Sequence, residues 1–131
     1  MTEEFKIKFR GVRGSYTVAD TNFLKYGGNT ACVEVNVGGH LIILDAGTGL
    51  ISLGNELMKK YIESGTTLSD REPVKCTILL SHIHLDHIQG FPFFRPTHLS
   101  STKMALLGGV GYNEAQAERY QIRNILGRYG R

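Results

Sequence analysis

The chain has 131 residues, 41% of them hydrophobic and 21% charged, which is ordinary for a single folded domain. No apolar run is long enough to cross a bilayer, and the charged N-terminus does not resemble a secretory signal, so we expect a cytoplasmic protein with no membrane partner. The net charge of +3 arises after Thr102, so the basic balance is only weak support for a nucleic-acid partner.

The first predicted element is a strand near the N-terminus. Residues 5–10 alternate apolar and basic side chains, a period of two that predicts a half-buried strand. The segment Gly11–Ser15 then breaks the pattern with two glycines, which favours a tight turn or a close backbone approach. A phosphate-binding loop is the alternative, but the glycine spacing matches neither nucleotide-binding fingerprint.

A β-hairpin is predicted next. Residues 30–37 alternate apolar and polar side chains, Gly38 and Gly39 form a favoured two-residue turn, and residues 40–44 return as the second strand. His40, at the turn, is expected to be a solvated histidine and not a ligand. Cys32 and Cys76 lack metal-type spacing and are expected to be reduced thiols of the core.

The hairpin ends at Asp45, which is followed by a glycine-rich loop. An aspartate there can cap the next helix and can also face a site at the strand ends. Leucines at helical spacing from Leu50 predict that helix, in which Gly54 indicates a small-residue contact against the sheet. After a polar connector, residues 74–80 predict a buried strand.

The stretch Ser81–His87 holds three of the five histidines of the chain and one aspartate. His82 and His84 are two residues apart, so in an extended segment both imidazoles can hold one metal ion. Asp86 and His87 can turn toward a second ion, with Asp86 as the catalytic residue that orients a water molecule or accepts its proton. A histidine-rich surface turn is the alternative, and it leaves four potential ligands after a buried strand unexplained.

The HxHxDH pattern at a strand end resembles the metallo-β-lactamase fold superfamily, and most closely its phosphodiesterase and ribonuclease Z-like hydrolases. Four segments carry the resemblance in the order of that family: Gly11–Ser15, Tyr26–Val35, Leu41–Gly49 and Leu79–Phe94. The resemblance implies an α/β (α+β) fold that is the N-terminal half of an αββα sandwich, with a mixed, mostly antiparallel sheet and helices on one face. It implies a domain over residues 1–96 and leaves residues 97–131 as a divergent basic tail, with a helix over 113–126.

The resemblance also implies a function and a set of site residues. His82 and His84 would bind the first metal ion, Asp86 and His87 the second, and Asp45 would lie beneath them and orient the ligands. Two zinc ions are expected, with manganese or iron as alternatives, and no organic cofactor site is predicted. The implied reaction is hydrolysis of a phosphodiester or related ester, in a small-molecule or nucleotide substrate, by a metal-bound hydroxide.

The chain departs from the family after the motif. Only His98 and no aspartate follow His87, whereas the family adds a histidine, a bridging aspartate and a last histidine. The alternative function is therefore a truncated or degenerate fragment whose metal site is incomplete, above all for the second ion, and which does not catalyse. An oligomer or a second chain is expected to cover the sheet face that the missing half would cover. A di-iron redox protein is the weakest alternative, since glutamate is typical at the position of His84.

Overall fold

The computed structural model describes residues 4–108, which form one five-stranded sheet with helices on one face. The strands neighbour one another in chain order: β1 (Phe5–Gly11), β2 (Cys32–Val37), β3 (His40–Leu44), β4 (Lys75–Leu80) and β5 (Lys103–Gly108). The pairs β1–β2 and β2–β3 are antiparallel, whereas β3–β4 and β4–β5 are parallel. The mixed sheet confirms the predicted fold class.

Helices connect and follow the parallel strands. Helix α1 (Gly49–Glu63) crosses from β3 to β4, and the short helix α2 (Leu85–Ile88) follows β4. Three 3₁₀ helices complete the described residues: Thr21–Phe23, Phe91–Phe93 and Arg95–His98. None of the helices within residues 4–108 combines the length and apolar character that crossing a bilayer requires.

The β2–β3 hairpin forms as predicted. Gly38 and Gly39 have φ angles of 52° and 79°, and the two positive values match the right-handed twist of the flanking strands. Val37 pairs with His40 across the turn, and His40 is exposed as expected.

The strand β1 is confirmed, but its burial is the reverse of what its alternation suggests. Phe5, Ile7 and Phe9 are 63%, 52% and 69% exposed. Helix α1 covers the opposite face of the sheet, so the basic side chain of Arg10 is the one that becomes buried, with 5% of it exposed. An alternating strand identifies two different faces, but not which face the rest of the chain covers.

An apolar face is therefore left uncovered on the sheet. The strand registers align one row of five side chains across it: Phe9, Val33, Leu44, Leu79 and Leu107. Leu107 is 56% exposed. The row before it consists of Ile7, Val35, Ile42, Thr77 and Ala105. This apolar face agrees with the expectation of an uncovered sheet, while its covering partner stays a prediction.

The core lies between the other face of the sheet and the helices. Its fully buried members include Ile43 and Ile78 from the sheet, Leu50 and Leu53 from α1, and Phe94. Gly54 of α1 packs against Phe94, since a Cβ on Gly54 would lie 2.9 Å from its Cδ2 atom, and the predicted contact of Gly54 with the sheet stays a prediction.

The beginning of α1 differs from the expectation for Asp45. The residue at the N-cap is Thr48, whose side chain makes no capping hydrogen bond. Thr48 instead donates its amide N–H to Thr30 Oγ1 at 2.9 Å. Asp45 is therefore free of the capping role, and its carboxylate is used elsewhere.

Both cysteines are free and buried, as predicted. Burial raises the pKa of Cys32 to about 12 and that of Cys76 to about 11. The thiolate is the reactive form, so both side chains behave as inert apolar groups at neutral pH.

The strand β5 was not predicted from the sequence. It lies within the segment assigned to a helical tail, and it pairs in parallel with β4 from Lys75–Lys103 to Leu80–Gly108. A short apolar run such as residues 104–107 is too brief for its periodicity to identify a strand. The predicted helix over 113–126 lies outside the described residues, and the domain boundary at residue 96 stays a prediction.

An ion-pair network links β1 to α1. Arg10 Nε donates to Glu34 Oε2 at 2.7 Å, and the two terminal nitrogens of Arg10 donate to Glu56 at 2.7 and 2.6 Å. Arg10 and Glu34 have only 5% and 12% of their side chains exposed, whereas Glu56 has 50% exposed. The hydrogen bonds from Arg10 are the main reason that the pKa of Glu56 is lowered to about 2.

The lowered pKa of Glu56 makes stability depend on pH. An unfolded glutamate titrates at about pH 4.3, so the contribution of Glu56 to stability is complete above that pH and is lost as the pH falls toward about 2. We expect Glu56→Gln to be less stable than the wild type at pH 7 and to lose less stability between about pH 5 and pH 2, as measured by urea unfolding at each pH. Glu63→Gln, whose exposed partner Lys59 lies 3.9 Å away, should keep the wild-type profile. An unchanged acid profile in Glu56→Gln would contradict the assignment.

Candidate metal centre

The motif lies at the carboxyl end of β4. Ser81 to His84 continue without regular structure, and His84 has extended dihedral angles of −57° and 146° before α2 begins. Because β3 and β4 are parallel neighbours, Asp45 at the end of β3 and Ser81 at the end of β4 meet at the same edge of the sheet. Position at the ends of parallel strands is typical of functional sites.

Three imidazoles come together at this edge. The ring centroids of His82 and His84 are 4.6 Å apart, and those of His82 and His87 are 4.0 Å apart. His84 is exposed, whereas His82 and His87 are half-buried. Every histidine that the sequence singled out is therefore in the cluster, while His40 lies at the hairpin turn.

Asp45 organises the motif from below. Its φ of 63° is left-handed, a conformation that aspartate tolerates better than most residues. Its carboxylate accepts the Ser81 amide N–H at 2.8 Å and the Ser81 hydroxyl at 2.9 and 2.8 Å. The Ser81 hydroxyl also lies 3.0 Å from His82 Nδ1. Asp45 thus orients the start of the motif.

Asp45 also contacts the last histidine. His87 Nδ1 lies 2.9 Å from Asp45 Oδ2, but this buried nitrogen is not aligned as a hydrogen-bond donor. The contact is therefore electrostatic and requires a protonated His87 to be an ion pair. With Nδ1 facing Asp45, the other ring nitrogen is directed to Asp86, at 3.4 Å from Oδ2.

Asp86 is held from two sides. Its Oδ2 atom accepts the Ser15 amide N–H at 3.0 Å and faces His87. Burial opposes ionisation of Asp86, but the Ser15 amide and the neighbouring His87 outweigh it, so the pKa of Asp86 is lower than usual. A carboxylate with a low pKa is a weak base, which suits Asp86 better to holding a cation or orienting water than to accepting a proton.

Sequence reasoning missed two residues that position this site. Ser15 was assigned to a structural turn, yet its amide contacts Asp86. Ser81 was included in the motif without a role, yet it joins Asp45 to His82. The only sequence signal for Ser15 was its place in a segment that resembles the family, because donation by a backbone N–H does not require a particular residue type.

Close backbone packing holds the motif against the loop after β3. Ala46 donates its N–H to His87 O at 2.8 Å, and Gly90 donates its N–H to Ala46 O at 2.9 Å. A Cβ on Gly90 would lie 2.6 Å from the carbonyl carbon of Gly47. Only glycine allows this approach, so the position of α2 depends on it.

The donor chemistry fits a divalent metal ion, since imidazole and carboxylate are ligands of zinc, manganese and iron. Within residues 4–108, however, no group of three or more His, Cys, Asp or Glu side chains is arranged to hold a metal ion. The two ligand pairs, His82 with His84 and Asp86 with His87, stay a prediction, and each pair would need further ligands to complete a coordination sphere.

The fold is similar to that of a solved structure. The metallo-β-lactamase fold protein YhfI from Bacillus subtilis superposes with a TM-score of 0.58 and 18% identity, over 92% of this chain and 41% of that one. This chain has part of the metallo-β-lactamase fold. A candidate metallo-β-lactamase from Thermotoga maritima matches with a TM-score of 0.41 and 21% identity, over 96% of this chain and 52% of that one.

The chain therefore spans only about half the length of these metallo-β-lactamase fold proteins or less. The coverage of YhfI is consistent with the N-terminal half that the sequence predicts, and the superposition on YhfI confirms the resemblance at the level of the fold. No protein-family model and no curated protein matches the sequence.

Proposed function

We propose that the protein is a metal-dependent hydrolase of the metallo-β-lactamase fold that acts on a phosphodiester or a related ester. The observation that carries the proposal is the motif held by Asp45, in which three imidazoles and a carboxylate are gathered at the end of two parallel strands. A surface turn that is rich in histidine by chance would not need a half-buried aspartate in a left-handed conformation beneath it.

The residues have distinct roles in this proposal. His82 and His84 would hold one ion, and Asp86 and His87 would hold the other, with zinc preferred over manganese and iron. A bound divalent ion would supply Lewis-acid activation of water at this edge of the sheet. Asp45, through Ser81, fixes the ring of His82, and the Ser15 amide fixes the carboxylate of Asp86. Fixed rotamers keep both ligand pairs ready for binding.

A second candidate is a fragment that does not catalyse. The described residues supply ligand pairs only, and the chain spans 41% of YhfI. The apolar face also lacks a cover within residues 4–108. A second copy of the chain that covers this face could complete the fold, and the purified protein would then hydrolyse its substrate as an oligomer.

Metal analysis of the purified chain tests the hydrolase proposal. We expect up to two divalent ions per chain and hydrolysis of bis(p-nitrophenyl) phosphate, with His84→Ala losing at least about tenfold in metal affinity and activity, because one ligand of the first pair is removed. His40→Ala is the matched control, since that histidine is exposed at the hairpin turn.

The outcomes separate the two candidates. Bound metal and turnover that depend on His84 but not on His40 support the hydrolase. Absence of both metal binding and turnover in a folded chain supports the fragment. Equal losses in His84→Ala and His40→Ala would show that the motif is not the site.

A further inference from the structure

The loop Gly11–Ser15 leads from β1 directly to the motif. Arg13 donates its N–H to Asn29 O at 2.9 Å and bridges to Thr30, which fixes the loop against the start of β2. Two residues later, the Ser15 amide contacts Asp86. Because two residues of extended chain span at most about 7 Å, the side chain of Arg13 begins close to the residue that touches the motif.

The guanidinium of Arg13 is oriented but not paired. Its Cζ atom lies 4.9 Å from the ring centroid of Tyr16 and 4.8 Å from that of Phe23. Its Nε atom is buried without a hydrogen-bond partner. None of the ion pairs among residues 4–108 includes Arg13. Buried donors are normally satisfied, so this one calls for an explanation.

Two other arginines show that the fold can satisfy such groups. All three guanidinium nitrogens of Arg10 donate hydrogen bonds to Glu34 or Glu56. Arg71 lies 5.4 Å from the ring centroid of Tyr61, but its Nε donates to Gly65 O at 3.3 Å. Arg13 has the aromatic contacts without an acceptor, and as a whole it is half-buried, so it is partly open to solvent.

We propose that Arg13 binds an oxyanion of the substrate phosphate beside the metal-binding motif. Aromatic contact limits the rotamers of a guanidinium. Nε of Arg13 is buried, so the two terminal nitrogens are the donors that match two phosphate oxygens. Its positive charge is fixed, and its backbone lies two residues from Ser15, whose amide contacts Asp86. The assignment of the phosphate to a substrate rests on the proposed hydrolase function, whereas the anion binding itself requires no metal.

Titration of the metal-free protein with inorganic phosphate tests the proposal without using activity. The readout is the side-chain Nε–H resonance of Arg13 in ¹H–¹⁵N spectra, identified by its absence in Arg13→Lys. We expect a saturable shift of this resonance at constant ionic strength, with chloride as the competing anion. Arg13→Ala should weaken phosphate binding at least tenfold, and Arg13→Lys should weaken it less, because it keeps the charge and loses the fork.

Arg71→Ala is the matched control, since it removes an arginine that also lies over a tyrosine, and it should bind phosphate like the wild type. Equal phosphate affinity in Arg13→Ala and the wild type, or an Nε–H resonance that does not move at saturating phosphate, would overturn the proposal. Backbone spectra that match the wild type show that each variant is folded.

Failure of this proposal is distinguishable from failure of the proposed function. The chain could bind phosphate through Arg13 in the absence of metal, yet neither bind metal nor hydrolyse bis(p-nitrophenyl) phosphate. That result would support the anion site and contradict the proposed hydrolase function. A metal-loaded chain that hydrolyses bis(p-nitrophenyl) phosphate with an unchanged KM in Arg13→Ala supports the hydrolase and contradicts the binding of substrate phosphate by Arg13.

Discussion

Gly90→Ala is expected to destabilise the protein by about 3 kcal/mol or more. The new Cβ would lie 2.6 Å from the carbonyl carbon of Gly47 and 3.1 Å from Ala46 O. Both obstacles are backbone atoms of the loop that follows β3, so no side chain can move aside. Either α2 or that loop must shift, and the hydrogen bond from Gly90 N–H to Ala46 O is lost. Urea unfolding followed by far-UV circular dichroism measures the effect.

Gly14→Ala is the matched control for this substitution. No heavy atom lies within 4 Å of a Cβ at Gly14, and that glycine lies in an equally irregular loop. Its effect should stay within about 0.5 kcal/mol. If Gly90→Ala were as stable as Gly14→Ala, the close contact between the motif and the loop after β3 would be wrong.

Arg10→Ala is expected to cost about 3 kcal/mol of unfolding free energy. The substitution leaves Glu34, with 12% of its side chain exposed, as a buried charge without its partner. The packing of the arginine stem between β1 and α1 is lost as well. Chemical denaturation at pH 7 measures the loss.

Two further variants test whether the loss of stability comes from the unpaired charge of Glu34. Adding Glu34→Gln to Arg10→Ala should restore part of the stability, because the unpaired charge is removed. Lys6→Ala, which removes an exposed lysine 2.7 Å from an exposed Glu4, should change stability by less than about 0.5 kcal/mol. Equal effects of Arg10→Ala and Lys6→Ala would show that the network around Arg10 does not fasten β1 to α1.

The fold was predictable where local signals were strong. The two glycines of the hairpin demand positive φ angles, and the leucine spacing of α1 identifies its buried side, so these elements were confirmed. The face on which β1 is buried was not predictable, because it depends on where α1 packs after crossing the sheet. The strand β5 was missed for a related reason, since its short apolar run is identified as a strand only by its pairing with β4.

The candidate site was predictable to the extent that it depends on residue type. Histidines and an aspartate in a seven-residue stretch marked the motif, and the structure gathers their side chains. The contributions of the Ser15 amide and of the Gly90 approach were not predictable, because they come from backbone atoms brought together by the tertiary fold. Metal binding by the motif stays a prediction.

The apolar face of the sheet has a thermodynamic consequence. Its rows of side chains exist as a continuous surface only when β1 to β5 are paired, so a surface that covers them binds the folded chain and not the unfolded one. Mass action then makes the melting temperature rise with the concentration of whatever covers the face. If a partner covers the face, the stability of this sheet is expected to vary with the concentration of that partner, and a single melting temperature would not describe it.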